Sequence, residues 1–173
     1  MRSNKILEII FLNVEREYDI GRMDINGFEA HSWGDLTNNQ KMAVEAAQAA
    51  VSTSYSPYSK FSVGAALLLE NGNIVKGSNQ ENIAYPSGIC AERSALFTYG
   101  SSGVSARIMI LAVVAKHHGD DKWALGAPCG GCRQVMLEYE RIQSAPYEVI
   151  FLYEDKYIIA ESAQNLLPFH FHM

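Results

Sequence analysis

Three cysteines, the only ones in this 173-residue chain, stand where metal ligands are expected. Cys129 and Cys132 belong to a Pro-Cys-Gly-Gly-Cys motif over residues 128–132, and Cys90 opens a Cys-Ala-Glu-Arg motif. Residues three apart on a helix share one face, so the sulfurs of Cys129 and Cys132 can meet at one point. All three cysteines lie at predicted helix starts, where partial positive charge favours the thiolates that zinc binds.

The cysteine pattern predicts one zinc ion per chain, bound by Cys90, Cys129 and Cys132. Free cysteines are often small buried hydrophobic residues, but two cysteine motifs on separate predicted helices favour the metal. Structural zinc sites normally have four protein ligands, whereas three ligands leave a position for water, as in catalytic sites. The five histidines have no metal-ligand spacing to a cysteine, and we predict solvated surface roles for them: His31, His117, His118, His170 and His172.

Glu92 follows Cys90 by two residues, close enough to act on a water at the metal without binding the metal itself. A carboxylate in that place can serve as general base and then as general acid. The alternative is that Glu92 only complements the positive end of a helix, as acidic residues in a first turn often do. Beside three thiolates, the catalytic role is the favoured interpretation.

Composition and charge exclude several other classes of protein. The formal net charge is −5, from 14 Lys and Arg against 19 Asp and Glu, and no basic run occurs, which argues against a nucleic-acid partner. The apolar stretch over residues 6–12 is interrupted by Glu8 and lacks a cleavage site, so we predict neither a signal peptide nor a membrane span. The expectation is a reduced, cytoplasmic protein without membrane attachment.

The elements that must position these residues follow from patterning. A capping box, Thr37 to Gln40, precedes an Ala-rich segment, and Asn71-Gly72 indicates a hairpin. The predicted elements, in chain order, are a helix over 38–53, strands over 61–69 and 74–76, a helix over 90–99, a strand over 108–115, a polar loop over 116–127, a helix after Pro128, and strands over 149–153 and 157–160 around a 155–156 turn.

This order predicts one mixed sheet covered by helices, the layered α/β class. We predict that residues 36–173 form a single catalytic domain. Residues 1–35 are predicted to be an N-terminal extension, with a strand over 6–14.

The combined motifs resemble those of the small, homotetrameric cytidine deaminases. The resemblance extends from about Tyr55 to Phe171 and includes Ser-Pro-Tyr-Ser-Lys-Phe over 56–61, Asn-Gln-Glu-Asn over 79–82, Cys-Ala-Glu-Arg over 90–93 and Pro-Cys-Gly-Gly-Cys-Arg-Gln-Val over 128–135. It implies a three-layer α/β/α sandwich and zinc-dependent, hydrolytic deamination of cytidine and 2′-deoxycytidine with release of ammonia. It also implies a salvage role and self-association as a homotetramer.

The resemblance also implies roles for residues outside the metal cluster. For the substrate, it implies that Phe61 packs on the pyrimidine, that the Ala91 N–H contacts the base carbonyl, and that Asn79 and Glu81 hold the ribose. It further implies that Arg93 donates to a ligand sulfur. Phe171 would then reach the substrate of a neighbouring subunit. The alternatives are a core position for Phe61, loop solvation for Asn79 and Glu81, a surface ion pair for Arg93, and a tail packed on its own core, with Phe169 as the other candidate ring.

Three rival functions remain at this point. One is deamination of a modified cytosine nucleoside such as blasticidin S; the Asn79-x-Glu81 pair favours plain nucleosides. Another is a catalytically silent zinc-binding homologue, against which Glu92 argues. The third is polynucleotide editing, against which the acidic composition argues. A carboxylate facing the ribose would repel a phosphate, and no phosphate-binding glycine motif occurs, so a free nucleoside is expected rather than a nucleotide.

Overall fold

The computed structural model describes residues 28–171 and consists of one six-stranded sheet with three α-helices. The strands are β1 (Ala30–His31), β2 (Phe61–Leu69), β3 (Ile74–Ser78), β4 (Ile108–His117), β5 (Glu148–Tyr153) and β6 (Lys156–Ala160), and the helices are α1 (Asn38–Ala50), α2 (Ala91–Ser101) and α3 (Gly130–Ile142). The strand order is β1-β6-β5-β4-β2-β3. Only β4 and β5 pair in parallel, so the predicted mixed sheet is confirmed.

Helix α1 begins at the predicted capping box. The Gln40 backbone N–H donates to Thr37 Oγ1 at 3.3 Å, and the Thr37 N–H donates to Gln40 Oε1 at 2.8 Å, so each satisfies a backbone donor that the helix start leaves unpaired. The α-helix ends at Ala50, and one 3₁₀ turn over Val51–Thr53 completes the predicted helical segment.

The predicted hairpin connects β2 to β3. Gly72 has a left-handed φ of 82°, which glycine adopts without steric strain, and its N–H donates to the Leu69 carbonyl at 2.9 Å. The strands then pair from Leu68 opposite Ile74 to Gly64 opposite Ser78.

Side chains alternate across the sheet and separate its two cores. On β2, Leu67 and Leu69 pack on one face beneath α2 and α3, where Leu96 and Met136 are completely buried. Leu68 faces the opposite side, in the core that α1 covers. Helices on both faces of one sheet give the expected three-layer α/β/α architecture.

The parallel pairing of β4 with β5 requires a crossover, and α3 supplies it. The start of α3 therefore follows the end of β4. The end of β4 lies beside the start of β2, because Phe61 pairs directly with His117, and the end of β3 lies next to both. The strand ends that carry predicted site residues thus meet at one end of the sheet.

Several strands depart from the expected boundaries. Strand β3 extends to Ser78, two residues beyond its predicted end, and β5 and β6 each begin one residue earlier than predicted. Strand β4 continues to His117, two residues into the segment predicted as a loop. The two-residue β1, within the predicted extension, pairs antiparallel with β6, Ala30 opposite Ile158. The strand predicted over 6–14 lies outside the described residues. Across residues 28–171, the helices are too short or too polar to cross a bilayer.

Candidate active site

The three cysteines meet where α2 and α3 begin. Cys90 is the N-cap of α2, Cys129 is the N-cap of α3, and Cys132 lies in the first turn of α3. Their three sulfur atoms lie within 4.8 Å of one another. Zinc–sulfur bonds of about 2.3 Å in a tetrahedral site place sulfurs about 3.8 Å apart, so this donor set fits zinc with small movements.

A thiol hydrogen bond and one positive charge act on the sulfur of Cys90. The pKa of the Cys90 thiol is lowered to about 5, first by a hydrogen bond from the Cys132 thiol and also by Arg93, whose Nη2 is 3.6 Å from Cys90 Sγ. The same hydrogen bond and burial raise the pKa of Cys132. The hydrogen bond between the two sulfurs thus favours a thiolate at Cys90 and a thiol at Cys132. A divalent cation favours the thiolate form of both.

Glu92 lies in the first turn of α2 and is only 4% exposed. Burial is the largest cause that raises its pKa, and the neighbouring Cys90 charge raises it further. A carboxyl group whose proton affinity is increased in this way can accept a proton and return it during one reaction. Glu92 thus has the environment of a general acid and base.

A cleft of about 400 Å³ opens in front of Glu92. The predicted site residues that line it are Phe61, Asn79, Glu81, Cys90, Ala91, Glu92, Arg93 and Cys129. Cys132 is fully buried behind the cleft. Residues that had been assigned to different predicted elements therefore border one cavity, whose size suits a small molecule.

Asn79 and Glu81 follow β3 at the rim of the cleft, and hydrogen bonds fix both side chains. Asn79 Oδ1 accepts from the Val63 N–H at 2.8 Å. Glu81 Oε2 accepts from the N–H groups of Tyr58 and Ser59 at 2.9 and 3.3 Å. The pKa of Glu81 is lowered, chiefly by a hydrogen bond from the Ser59 side chain, so this group is a carboxylate at neutral pH.

The C-terminal aromatic residues lie away from this cleft. Phe169 and Phe171 are 94% and 75% exposed, and neither is among the described residues that line the cleft of their own chain. The Gln134 carboxamide nevertheless holds the Phe171 backbone, since it accepts from the N–H at 3.3 Å and donates to the carbonyl at 3.2 Å. The segment has a defined place along α3.

Two histidines are closer to the site than the sequence analysis predicts. The His117 ring centroid is 4.7 Å from that of Phe61. His118 Nε2 is 3.0 Å from the hydroxyl oxygens of Ser56 and Ser62. Both histidines are exposed, as predicted, but each also makes a specific contact that the predicted solvated role does not include. No signal in the sequence alone gives these contacts, because they follow from the pairing of Phe61 with the end of β4.

Comparison with known proteins gives one consistent family. Residues 37–149 match the family described as the cytidine and deoxycytidylate deaminase zinc-binding region. A cytidine deaminase of Halalkalibacterium halodurans is 44% identical over 100 residues, which cover 58% of this chain and 71% of that relative. A cytidine deaminase of Mycobacterium tuberculosis is 43% identical over 107 residues, or 62% of this chain and 71% of its own length.

Solved structures give the same result for the fold. The crystal structure of cytidine deaminase from Burkholderia pseudomallei superposes with a TM-score of 0.63 at 38% identity and covers 79% of this chain and all of that one. The M. tuberculosis structure has a TM-score of 0.58 at 32% identity and covers 76% of this chain and 96% of its own.

Proposed function

The chain belongs to the cytidine and deoxycytidylate deaminase family and is a zinc-dependent hydrolytic deaminase, and we propose that it converts cytidine and 2′-deoxycytidine to uridine and 2′-deoxyuridine with release of ammonia. One observation carries the proposal. The buried carboxyl of Glu92 lines the same cleft as Cys90, Cys129, Asn79 and Glu81.

Cys90, Cys129 and Cys132 are the proposed zinc ligands, since their sulfurs already lie within 4.8 Å of one another. Zinc bound there supplies Lewis-acid activation of the water that attacks C4 of the cytosine ring. Three thiolates leave a net charge of −1 on such a centre. Arg93 and the two helix N-termini offset that charge.

Glu92 is the proposed general acid and base. It accepts a proton from the attacking water and transfers it to ring N3 as the C4–O bond forms. It then carries a second proton from the new hydroxyl group to the amino group, and the C4–N bond breaks to release ammonia. Its raised pKa, caused chiefly by burial, suits a group that must hold a proton between these two transfers.

Substrate contacts come from three parts of the cleft. The Phe61 ring is proposed to pack on the pyrimidine. Ala91 is the first residue of α2, where a backbone N–H has no partner within the helix, and it is proposed to donate to the base carbonyl. Asn79 and Glu81 are proposed to hold the sugar hydroxyls.

The charges at the cleft favour a nucleoside over a nucleotide. Glu81 is a carboxylate and would repel a nearby phosphate. Among the described residues that line the cleft, Arg93 is the only Lys or Arg, and its guanidinium is directed at Cys90 Sγ. A phosphate on the sugar would therefore find little compensating positive charge.

The proposed assembly is a homotetramer in which Phe171 reaches the substrate of a neighbouring subunit. The exposure of the Phe171 ring, together with the anchoring of its backbone by Gln134, supports this arrangement. We further propose residues 36–173 as the catalytic domain and residues 1–35 as an extension. A role in pyrimidine salvage in the cytoplasm fits a nucleoside substrate and thiolate ligands, which a reducing compartment preserves.

The experiment is a substrate panel with zinc-loaded protein. Cytidine, 2′-deoxycytidine and 2′-deoxycytidine 5′-monophosphate are each incubated with the enzyme, and ammonia and the uracil product are quantified. We expect equal molar amounts of ammonia and product from both nucleosides and at least tenfold slower conversion of the monophosphate. Preference for the monophosphate would overturn the nucleoside assignment, and no turnover of any of them would overturn the proposed function.

A further inference from the structure

His118 stands at the end of β4 and contacts two buried hydroxyl groups. Its Nε2 is 3.0 Å from the Oγ atoms of Ser56 and Ser62, and these two oxygens are 3.0 Å from each other. Ser56 is 3% exposed and Ser62 is 8% exposed. The His118 side chain is itself exposed, so removal of its ring would replace a fixed imidazole contact with mobile water at both hydroxyl groups.

The same hydroxyl groups lead to Asn79. Ser54 Oγ is 3.2 Å from Ser56 Oγ and donates to Asn79 Oδ1 at 2.6 Å. Asn79 Nδ2 also donates to the Phe61 carbonyl at 2.9 Å. These bonds orient the carboxamide and use one of its two Nδ2 hydrogens, which leaves the other for a ligand in the cleft. We call Ser54, Ser56 and Ser62 the hydroxyl cluster.

The turn over residues 56–60 connects the hydroxyl cluster to Glu81. Backbone N–H groups of Tyr58 and Ser59 in this turn donate to Glu81 Oε2. Each residue of the sugar-binding pair, Asn79 and Glu81, is therefore held by the segment that contains the hydroxyl cluster. A displacement of that segment would move both.

His118 holds this turn at two points. Its backbone N–H donates to the Lys60 carbonyl at 2.8 Å, and its ring contacts the Ser56 hydroxyl at the other end. Lys60 has a left-handed φ of 56°, which a residue other than glycine adopts only when its surroundings enforce it. The contacts of His118 are part of those surroundings.

We propose that His118 is a positioning residue for sugar recognition, which acts through the hydroxyl cluster on Asn79 and Glu81. The inference rests on the proposed function, where Asn79 and Glu81 hold the sugar hydroxyls. His118 does not line the cleft among the described residues, so it acts through other groups and has no direct contact with the substrate.

The test compares His118→Ala with the parent enzyme on cytidine and on 2′,3′-dideoxycytidine, which lacks both ring hydroxyls of the ribose. We expect kcat/KM for cytidine to fall about three- to tenfold, the range of one or two hydrogen bonds, and the change to appear mainly in KM. For the dideoxynucleoside we expect a change of less than about twofold, because the misplaced groups have no 2′- or 3′-hydroxyl to hold.

Three further variants make the comparison specific. His118→Gln keeps a polar side chain within reach of the hydroxyl cluster and should recover much of the loss on cytidine. Ser54→Ala cuts the link to Asn79 while His118 remains, and should reproduce the loss on cytidine alone. His117→Ala removes the adjacent ring, which contacts Phe61, and should affect the two substrates equally. Zinc content and the thermal midpoint of each variant verify that it folds.

The outcomes distinguish failure of the positioning role of His118 from failure of the proposed function. Equal losses on both nucleosides for His118→Ala, or no loss on cytidine, would overturn the positioning role. If His118→Ala does not fold, Ser54→Ala takes its place in the test. Equal losses on both nucleosides, or no loss on cytidine, would then overturn the positioning role. A parent enzyme that converts neither nucleoside overturns the proposed function itself, whereas an active parent with unaffected variants overturns only this inference.

Discussion

Gly77 in β3 lies directly against the backbone of Ala95 in α2. A Cβ placed on Gly77 would be 2.4 Å from the Ala95 nitrogen and 2.5 Å from the Ala91 carbonyl oxygen, distances that real Cβ atoms do not adopt. The absence of a side chain at Gly77 thus lets α2 approach the sheet. Because Cys90 and Glu92 lie at the start of α2, the close approach also determines how near these two residues lie to the sheet.

Gly77→Ala is expected to displace α2 and destabilise the protein. Overpacking of this kind typically costs about 1–3 kcal/mol of unfolding free energy. Urea denaturation of the zinc-loaded protein measures it. The control is Gly34→Ala, since a Cβ on Gly34 meets no atom within 4 Å. Equal stability of the two variants would show that α2 does not depend on this close approach.

Cys129→Ala should remove the zinc ion and the activity together. Two remaining sulfurs cannot complete a three-ligand site, so metal content should fall well below one ion per chain. Elemental analysis after dialysis gives that content independently of turnover. Gly131→Ala, between the two cysteines of α3 and with open space at its Cβ, should keep its zinc. Full zinc and full turnover in Cys129→Ala would refute the ligand assignment.

Glu92→Gln should keep the zinc and lose turnover. General acid and base catalysis is typically worth about 10²–10⁴-fold, and Glu92 is proposed to act in two proton transfers, so kcat should fall at least this far. Exposed Glu138 provides the matched control, because Glu138→Gln makes the same chemical change outside the cleft and should leave kcat unchanged. Turnover of Glu92→Gln within a few-fold of the parent contradicts the mechanism.

Tyr147 should make the fold sensitive to alkaline pH. Burial raises the pKa of Tyr147 well above 10, and its hydroxyl donates to the Met136 carbonyl at 2.7 Å. The folded state therefore keeps this proton at a pH where the unfolded chain releases it, so unfolding free energy declines as the pH rises above about 10.

Tyr147→Phe isolates this effect. The variant should lose about 0.5–1.5 kcal/mol of unfolding free energy at pH 7, since one hydrogen bond is removed. Above about pH 10, the unfolding free energy of the variant should fall less steeply with pH than that of the parent. The difference in slope should be as much as about 1.4 kcal/mol per pH unit. Urea titrations at several pH values measure both quantities. Parallel declines in parent and variant would exclude Tyr147 as the cause.

Shared active sites should be detectable by complementation. Glu92→Gln and Phe171→Ala chains are each expected to have little activity, and mixed tetramers refolded together should recover part of it. Such assemblies contain sites with one intact Glu92 and one intact Phe171. A second mixture, in which Phe169→Ala chains replace the Phe171→Ala chains, determines whether Phe169 is the ring that reaches the neighbouring site. Full activity of a dilute sample that is monomeric by light scattering would contradict shared sites.

Local patterns were sufficient to predict most of the elements. The Thr37 capping box, the Asn71-Gly72 hairpin and the cysteine motifs each act within a few residues, and each lies where the sequence analysis placed it. Strand β1 was missed because two residues carry no periodic signal, and its pairing with β6 is purely tertiary.

The histidine contacts were missed for a related reason. Ser56 and Ser62 are ordinary loop and strand residues in the sequence, and only the pairing of β2 with β4 brings His118 to their hydroxyl groups. No local spacing encodes a contact between residues so far apart in the chain. By contrast, the cysteines could be predicted because metal ligands are restricted to few residue types.

The sulfur atoms come from two helices that the chain connects only through β4 and a long loop. A bound ion therefore acts as a cross-link between α2 and α3, in addition to any part in catalysis. Because the unfolded chain cannot hold Cys90 near Cys129, ion binding favours the folded state in proportion to its affinity. We therefore expect loss of zinc to lower the free energy of unfolding and to make the chain more susceptible to proteolysis.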